Sequence, residues 1–255
     1  MKIACTYHYE KKWIDEAVRL GFSYMEISSH LLPSDEVEEK DVINYALNKG
    51  LKLSIHAPYG SNNISSSDDQ RRDSSVANVK KAIDISAKYN LGAVTFHPGR
   101  LSDDFEKPEE NMPRLMEVVA DIANYAKEKK VFVGIENMEL RPYELIFTVD
   151  DLNLFAPFGK ENPYFGVTID FAHYSSHNIG LPDLSKLKLP IHNIHLSQNV
   201  NGKTHRGLHF EEGLLNLKDV CRSIKNYGYD GHIVLEVGDF VQESREKLLK
   251  VLSEI

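Results

Sequence analysis

The chain contains little cysteine, and this scarcity limits the kinds of site that it can build. Cys5 and Cys221 are the two cysteines among 255 residues, and they stand far apart in the sequence. Neither a disulfide framework nor a zinc site made of several thiolates is therefore expected. The same cysteine usage suits a reducing compartment, so we expect a cytoplasmic protein.

Long hydrophobic runs and an excess of basic residues are also missing. No apolar run reaches the roughly 20 residues that a membrane-spanning helix needs, and the start of the chain lacks a signal-peptide pattern. The net charge of −8, from 30 basic and 38 acidic side chains, argues against indiscriminate binding of polyanions. No glycine-rich phosphate loop, Ser-His-Asp signature or dinucleotide fingerprint occurs either.

The most informative feature that is present is a set of six short apolar runs, each ending in a metal-binding residue type. Residues 166–170 show the pattern best, because an apolar run ends at Asp170 and His173 follows three residues later. Such a run predicts a buried strand whose last side chain points into a site. The other five runs end at His56, His97, Glu136, His195 and Glu236.

Apolar runs and amphipathic stretches alternate along the whole chain, which predicts an α/β protein with a parallel sheet. We predict strands at residues 2–6, 22–27, 51–56, 93–97, 131–136, 165–170, 191–196 and 232–237. We predict helices at residues 12–20, 35–48, 70–89, 109–129, 217–226 and 240–252, and a short helical segment at 151–158. Residues 174–189 are predicted to be irregular, and residues 197–213 a long polar loop.

Eight strand and helix units in about 250 residues match the size of a closed (β/α)₈ TIM barrel. A doubly wound open sheet is the alternative fold, but it would concentrate site residues near one switch point. A barrel brings all strand ends to one mouth, which suits the pattern found here. No linker or low-complexity tract interrupts the chain, so we predict a single domain over residues 1–255.

The strand ends together predict a metal site at the mouth of the barrel. A single strand-end histidine is more often a hydrogen-bonded structural residue, and a glutamate there can simply pair with a basic side chain. Seven ligand-type residues on six of the eight predicted strands are harder to explain in that way. Burying several carboxylates and imidazoles together is costly unless a cation compensates them. The seven residues are His56, His97, Glu136, Asp170, His173, His195 and Glu236.

Several of these residues stand in short motifs whose order and spacing resemble those of a known superfamily. The motifs are His56-Ala57-Pro58-Tyr59, Phe96-His97-Pro98-Gly99, Ile135-Glu136-Asn137, Ile169-Asp170-Phe171-Ala172-His173, His195-Leu196-Ser197, Asn201-Gly202-Lys203 and Leu235-Glu236-Val237. Together they resemble the xylose-isomerase-like TIM barrels, which include sugar and sugar-phosphate isomerases and epimerases and also the type-IV AP endonucleases.

The resemblance to the isomerase and epimerase branch implies one divalent ion at the barrel mouth, zinc or manganese. The implied ligands are Glu136, Asp170, His195 and Glu236. In that branch the ion polarises neighbouring carbonyl and hydroxyl oxygens of a sugar or sugar phosphate. Glu136 and Glu236 would then also move a proton by general acid/base catalysis through an enediolate.

The resemblance to the endonuclease branch implies up to three zinc ions and a different reaction, the cleavage of abasic DNA. The further ligands would be His56, His97, His173 and His209. That branch has an aspartate two residues before the last histidine, where this chain has Gly207, and His205 is an alternative ligand. Tyr59 fits a stacking residue of that branch, but Gly60 follows where a bulky wedge for a flipped nucleotide is expected. Residues 28–33 also lack the basic-aromatic loop of that branch.

We therefore predict a metal-dependent isomerase or epimerase that acts on a small sugar or sugar phosphate, with a zinc-dependent AP endonuclease as the alternative. One to three ions are expected, DNA is a partner only under the alternative, and a homodimer is compatible with the resemblance. A basic cluster in the loop after the seventh strand is equally well explained as a clamp for phosphate or a sugar carboxylate and as a solvated loop. The candidate substrate contacts are Tyr59, Arg100, Lys203, His205 and Arg206.

Overall fold

Eight parallel strands close into a barrel in the computed structural model, which describes residues 2–28 and 35–255. In chain order the strands are β1 (Lys2–Tyr7), β2 (Tyr24–Ser28), β3 (Lys52–His56), β4 (Val94–Phe96), β5 (Val133–Glu136), β6 (Phe165–Asp170), β7 (Ile191–Leu196), β8 (Gln198–Val200), β9 (Lys203–Arg206) and β10 (His232–Leu235). β8 and β9 form a separate hairpin, and the other eight form the barrel. The sheet closes because β1 pairs with β2 on one side and with β10 on the other. The predicted (β/α)₈ barrel is confirmed.

Helices and short helical turns connect the barrel strands. They are α1 (Lys11–Arg19), α2 (Glu36–Asn48), α3 (Asp69–Tyr89), α4 (Pro108–Lys129), α5 (Val149–Leu152), α6 (Ala156–Gly159), α7 (Phe171–Ser175), α8 (Leu217–Tyr227) and α9 (Val241–Ser253), with 3₁₀ turns at Asn153–Phe155 and Leu184–Lys186. Among the described residues, no helix is long and apolar enough to cross a membrane.

Local sequence signals explain where the long helices begin and end. The side chain of Asp35 accepts hydrogen bonds from the first free backbone N–H groups of α2, and Asp68 does the same for α3. Pro108 begins α4, where its missing N–H costs no hydrogen bond. Gly228 ends α8 with a φ of 84°, a left-handed conformation that glycine adopts without strain.

The apolar core fills the space between the barrel and its helices, and it fixes which side chains face inward. Phe96, Phe165 and Ile135 are fully buried, and they belong to one continuous apolar cluster with residues of the surrounding helices. The inside of the barrel instead carries a buried polar layer near its mouth. This layer, which we call the polar floor, consists of Glu26, Ser54, Thr95, Thr168 and Asn193.

The segment after the seventh strand differs from its prediction as a long polar loop. Residues 198–206 form the β8–β9 hairpin, in which Gln198, Asn199 and Val200 are buried. Asn201 and Gly202 both have positive φ angles, of 53° and 77°, which is typical of a tight hairpin turn. Asn-Gly was therefore a hairpin signal that the polar composition of the segment concealed. Residues 29–34, which hold most of the loop compared above with the endonuclease branch, lie outside the described residues.

Candidate active site

The carboxyl ends of four strands bring three carboxylates and one imidazole together. Glu136 and Asp170 are the last residues of β5 and β6, His195 is near the end of β7, and Glu236 directly follows β10. Asp170 and His195 are also paired across β6 and β7. One possible ligand atom of each residue lies within 4.8 Å of those of the others. We call these four residues the inner cluster.

The inner cluster is largely buried and crowded with negative charge. Glu136, Asp170 and His195 are fully buried, and the side chain of Glu236 is 17% exposed. His195 Nδ1 lies 2.9 Å from Glu136 Oε1 and 2.8 Å from Glu236 Oε2. Burial would lower the pKa of His195, but the neighbouring carboxylates hold it well above its ordinary value. The same ring lowers the pKa of both glutamates against the effect of burial.

Two buried oxygens of the inner cluster show that the site fits a cation. Asp170 Oδ2 and Glu236 Oε2 are buried and accept no well-aligned hydrogen bond. Burial raises the pKa of Asp170, and the two glutamates add to this rise. Buried acceptors without a donor are destabilising, and a divalent ion would satisfy them. Carboxylate oxygens with one imidazole nitrogen form a donor set that zinc and manganese both accept.

Asn137 fixes the relative position of the two strand ends that carry carboxylates. Its side-chain amide donates to the backbone carbonyl of Asp170 at 2.9 Å, and its Oδ1 accepts from the Asp170 backbone N–H at 2.9 Å. The backbone N–H of His173 in turn donates to Asp170 Oδ1 at 2.7 Å. These bonds leave Asp170 Oδ2 as the oxygen available to a ligand.

His56 and His97 approach the inner cluster from the other side. Nε2 of each ring lies 3.3 Å from the same atom, Glu136 Oε2. Burial would lower the pKa of His56, but hydrogen bonding to Glu136 raises it to about 9. Burial lowers the pKa of His97 below its ordinary value, so this ring is the one that stays neutral near pH 7.

A second group of ligand-type residues lies beside the inner cluster. It consists of Glu139, His173 and His205, which we call the outer cluster. Glu139 Oε1 lies 3.5 Å from Nε2 of each histidine, and the two Nε2 atoms are 3.4 Å apart. Ligand atoms around a tetrahedral zinc ion, at bond lengths of about 2.0–2.1 Å, lie about 3.3–3.4 Å from one another. The outer cluster is thus near the size that such an ion requires.

A cationic side chain from outside the outer cluster already pairs with its glutamate. Arg141 contacts both oxygens of Glu139, at 2.6 and 2.9 Å, and Thr204 donates to Oε1. Burial would raise the pKa of Glu139, but hydrogen bonding to His205 and Thr204 lowers it to about 2. Burial would lower the pKa of His205, but Glu139 and nearby carboxylates raise it to about 10. Glu139 is thereby neutralised without a metal ion.

A cavity of about 880 Å³ opens above both clusters. Of the inner cluster, Glu236 lines the cavity, while Glu136, Asp170 and His195 lie beneath it. All three residues of the outer cluster line it as well. The remaining wall includes His56, His97, Tyr59, Arg100, Arg141 and Glu144.

The structure places the other predicted site residues in different surroundings. Tyr59, Arg100 and His205 line the cavity. His209 belongs to neither cluster, because its ring packs against Phe210 and Phe240 with centroid distances of 4.2 and 4.6 Å. Arg206 lies 3.7 Å from Asp239, and Lys203 is exposed at the start of β9. Neither basic residue is part of the cavity wall.

Two residues of the site were missed from the sequence, although each carried a signal. Glu139 stands three residues after Glu136, so the loop after β5 brings it back over the mouth. Glu26 is an acid in the middle of the apolar run of β2, where a charged residue needs a partner. Both signals were present, but neither residue ends an apolar run.

Comparisons with known proteins agree with this fold. Residues 14–253 match the family described as xylose isomerase-like TIM barrel, and the chain belongs to this family. An uncharacterized protein of Methanocaldococcus jannaschii is 24% identical over 197 residues, which cover 73% of this chain and 64% of that protein. The chain thus matches somewhat less than two thirds of that relative's length.

Solved structures of sugar epimerases have the same fold. A D-tagatose 3-epimerase-like protein superposes with a TM-score of 0.86 at 20% identity, over 100% of this chain and 98% of that one. D-psicose 3-epimerase from Clostridium cellulolyticum gives a TM-score of 0.79 at 16% identity, with the same two coverages. At these identities the likeness establishes the shared architecture.

Proposed function

We propose that this protein is a divalent-metal-dependent isomerase or epimerase of a small sugar or sugar phosphate. The observation that carries the proposal is the inner cluster, in which three carboxylates and one imidazole meet under an open cavity. Among the described residues no lysine or arginine pairs with these carboxylates, so a bound cation is the natural counter-charge. The fold shared with sugar epimerases supports the same function.

Glu136, Asp170, His195 and Glu236 would hold the ion, zinc or manganese. When bound, a divalent ion would polarise the carbonyl and hydroxyl oxygens of a sugar and so acidify the adjacent C–H bond. Glu236 is the member of the inner cluster that lines the cavity, and with the buried Oε2 on the ion its other oxygen, Oε1, would remain to remove that proton.

Glu136 would serve the second proton transfer through its histidine neighbours. It lies beneath the cavity, and its Oε2 is 3.3 Å from Nε2 of His97, which does line the cavity. Since burial keeps His97 neutral, this ring can carry a proton between Glu136 and the cavity. Both glutamates would then contribute to general acid/base catalysis, Glu236 from the cavity wall and Glu136 from beneath it.

The walls of the cavity suit a polyhydroxy substrate. Tyr59 provides an aromatic face, and its ring lies 5.7 Å from that of His97 between centroids. Arg100 donates to the backbone carbonyl of Gly60 at 3.0 Å, which holds its guanidinium at the cavity rim where an anionic substituent would meet it. We place the substrate contacts at these two residues and His205, and we propose that the protein works in the cytoplasm.

A proton-exchange assay tests this proposal across many candidate sugars. The protein, loaded with manganese or zinc, is incubated in D₂O with a panel of ketoses, aldoses and their phosphates. Deuterium incorporation at the carbon beside the carbonyl, followed by NMR, is the expected result for at least one sugar. Loss of all exchange after chelation, and its return with added ion, is expected as well. A fully loaded protein that exchanges no sugar in the panel would contradict the proposal.

One observation favours a second candidate function, zinc-dependent hydrolysis of abasic DNA. The outer cluster has nearly the dimensions of a zinc site, and it adjoins the inner cluster. Two or three ions that share a site can stabilise both the attacking and the leaving oxygen of a phosphodiester. The test is a nicking assay on an abasic duplex, where cleavage together with two or more bound zinc ions would support this candidate. The net charge of −8 weighs against it.

A further inference from the structure

Glu26 is a buried carboxylate directly below the inner cluster, and it has no role in the reaction proposed above. It lies on β2 inside the barrel, is fully buried, and is part of the polar floor. Among the described residues no lysine or arginine pairs with it. Burying an unpaired carboxylate is costly, so its presence calls for a specific partner.

That partner is the imidazole of His195. Glu26 Oε1 lies 3.0 Å from His195 Nε2, its nearest charged neighbour, and no well-aligned hydrogen bond from any group satisfies this oxygen. The second oxygen, Oε2, accepts from the side-chain amide of Asn193 at 2.7 Å and from the hydroxyl of Ser54 at 3.3 Å. Glu26 therefore has one oxygen fixed by the polar floor and one directed at the histidine.

The donors around His195 decide which of its nitrogens carries the proton. Asn193 Nδ2 has two N–H groups, and it has two oxygen partners, Glu26 Oε2 at 2.7 Å and Thr95 Oγ1 at 3.0 Å. Asn193 Nδ2 also lies within hydrogen-bond distance of His195 Nε2, at 3.1 Å, but the two oxygen contacts are shorter and can take both amide hydrogens. This leaves His195 Nε2 able to carry a proton toward Glu26 Oε1, the charged acceptor nearest to it.

The opposite nitrogen, Nδ1, faces the inner cluster. His195 Nδ1 points at Glu136 and Glu236, at 2.9 and 2.8 Å. We propose that Glu26 is a positioning residue, which holds His195 with its proton on Nε2 so that Nδ1 acts as the metal ligand. The inference rests on the proposed metal site at the inner cluster. A carboxylate behind a metal-bound imidazole orients the ring and makes its nitrogen a stronger donor.

The arrangement favours a role at the metal over a purely structural one. The groups that contact Glu26 Oε2 are an amide and a hydroxyl, and a neutral side chain could satisfy them at lower cost. A glutamine at this position would have to direct its NH₂ group at a donor on one side, either His195 Nε2–H or Asn193 Nδ2–H. The negative charge is needed because both oxygens must accept.

The test measures metal binding by the whole protein rather than its activity. Metal-free protein is titrated with zinc and manganese by calorimetry, and its cobalt-loaded form is examined by electronic absorption. Glu26→Gln is expected to weaken binding by about 10- to 100-fold and to shift the cobalt bands. Glu39→Gln is the matched control, because Glu39 is also a buried acid but pairs with Lys88 on the outside of the barrel. It should bind metal like the wild type.

The outcomes separate this inference from the proposed function. Wild-type protein that binds no divalent ion would overturn the metal site and with it the proposed reaction. Wild-type binding with unchanged affinity and cobalt spectrum in Glu26→Gln would overturn the role of Glu26 alone, even if the variant is less stable. Should Glu26→Gln not fold, Glu26→Asp takes its place. Glu26→Asp keeps the charge but shortens the reach to His195. We expect it to lose less metal affinity than the roughly 10- to 100-fold given for Glu26→Gln. Unchanged affinity would again overturn the role.

Discussion

The inner and outer clusters are neighbours at one barrel mouth, yet they balance their charges in opposite ways. In the inner cluster three carboxylates surround His195, and no lysine or arginine of the described residues pairs with them. In the outer cluster Arg141 contacts both oxygens of Glu139 and the pKa of His205 is raised to about 10, mainly by Glu139 against the effect of burial.

This difference indicates which cluster depends on an ion. The inner cluster keeps two buried oxygens without a donor, so we expect it to bind a cation. In the outer cluster Arg141 and His205 already balance the charge of Glu139. An ion that binds there must therefore displace Arg141 and the proton of His205. We therefore expect one tightly bound ion and a weaker second one, which agrees with the isomerase proposal better than with a multi-zinc nuclease.

Replacing Glu236 by glutamine should give the largest effect. The variant keeps the shape of the side chain but loses the base that faces the cavity, so deuterium exchange into the substrate should fall by about 10²- to 10⁴-fold. Glu246→Gln, an exposed change on α9, should exchange at the wild-type rate. Wild-type exchange by Glu236→Gln would remove this residue from the mechanism.

Matched changes in the two clusters test the difference in their need for metal. Asp170→Asn should weaken the tightest ion by about 100-fold, since it removes one charged contact in a buried site. His205→Gln should leave that ion within about fivefold of wild type, because loss of one partly exposed contact is worth roughly 1 kcal/mol or less. Calorimetric titration of both variants measures this, and equal losses would mean that the clusters act as one site.

Arg141→Gln should make the outer cluster a better metal site. Freeing Glu139 from a half-exposed ion pair is worth roughly 1 kcal/mol, so the second zinc ion should bind about fivefold more tightly. The first ion should be unaffected. Zinc titration monitored by calorimetry checks both statements, and an unchanged second affinity would show that Arg141 does not limit binding there.

The smallest expected effect concerns Glu144, on the cavity wall near Arg141. Burial raises the pKa of Glu144 from 4.5 to about 7, although Arg100 and Arg141 lower it. The folded protein then holds a proton that the unfolded chain releases above about pH 4.5. Glu144 therefore makes the free energy of unfolding fall as pH rises through about 7.

Urea unfolding at pH 5 and pH 8 measures this contribution. Glu144→Gln should lose part of the decrease between the two pH values, while Glu109→Gln, an exposed change on α4, should keep the wild-type decrease. A wild-type pH dependence in Glu144→Gln would indicate that Arg141 turns from Glu139 to Glu144 in solution, and the contrast between the clusters would weaken.

Much of the barrel and the inner cluster could be predicted from the sequence, because a strand that ends in a ligand residue is a local pattern. Glu136 and Asp170 end β5 and β6 as predicted, and the barrel then brings such ends together. Which loop residues return over the mouth depends on turns with no periodic signal. His205 rather than His209 reaches the outer cluster because the Asn201-Gly202 turn folds the segment back as a hairpin.

The β8–β9 hairpin has a further consequence for how such a protein can change. Glu136 and Asp170 are held by the barrel itself, so altering their spacing would require rebuilding the sheet. His205 and Thr204 stand on a two-stranded unit outside the barrel. Insertions or exchanges in this hairpin would leave the inner cluster intact while replacing one wall of the cavity. If the proposed function holds, residues of the barrel would determine the reaction and residues of the hairpin the choice of substrate, and the two could change independently.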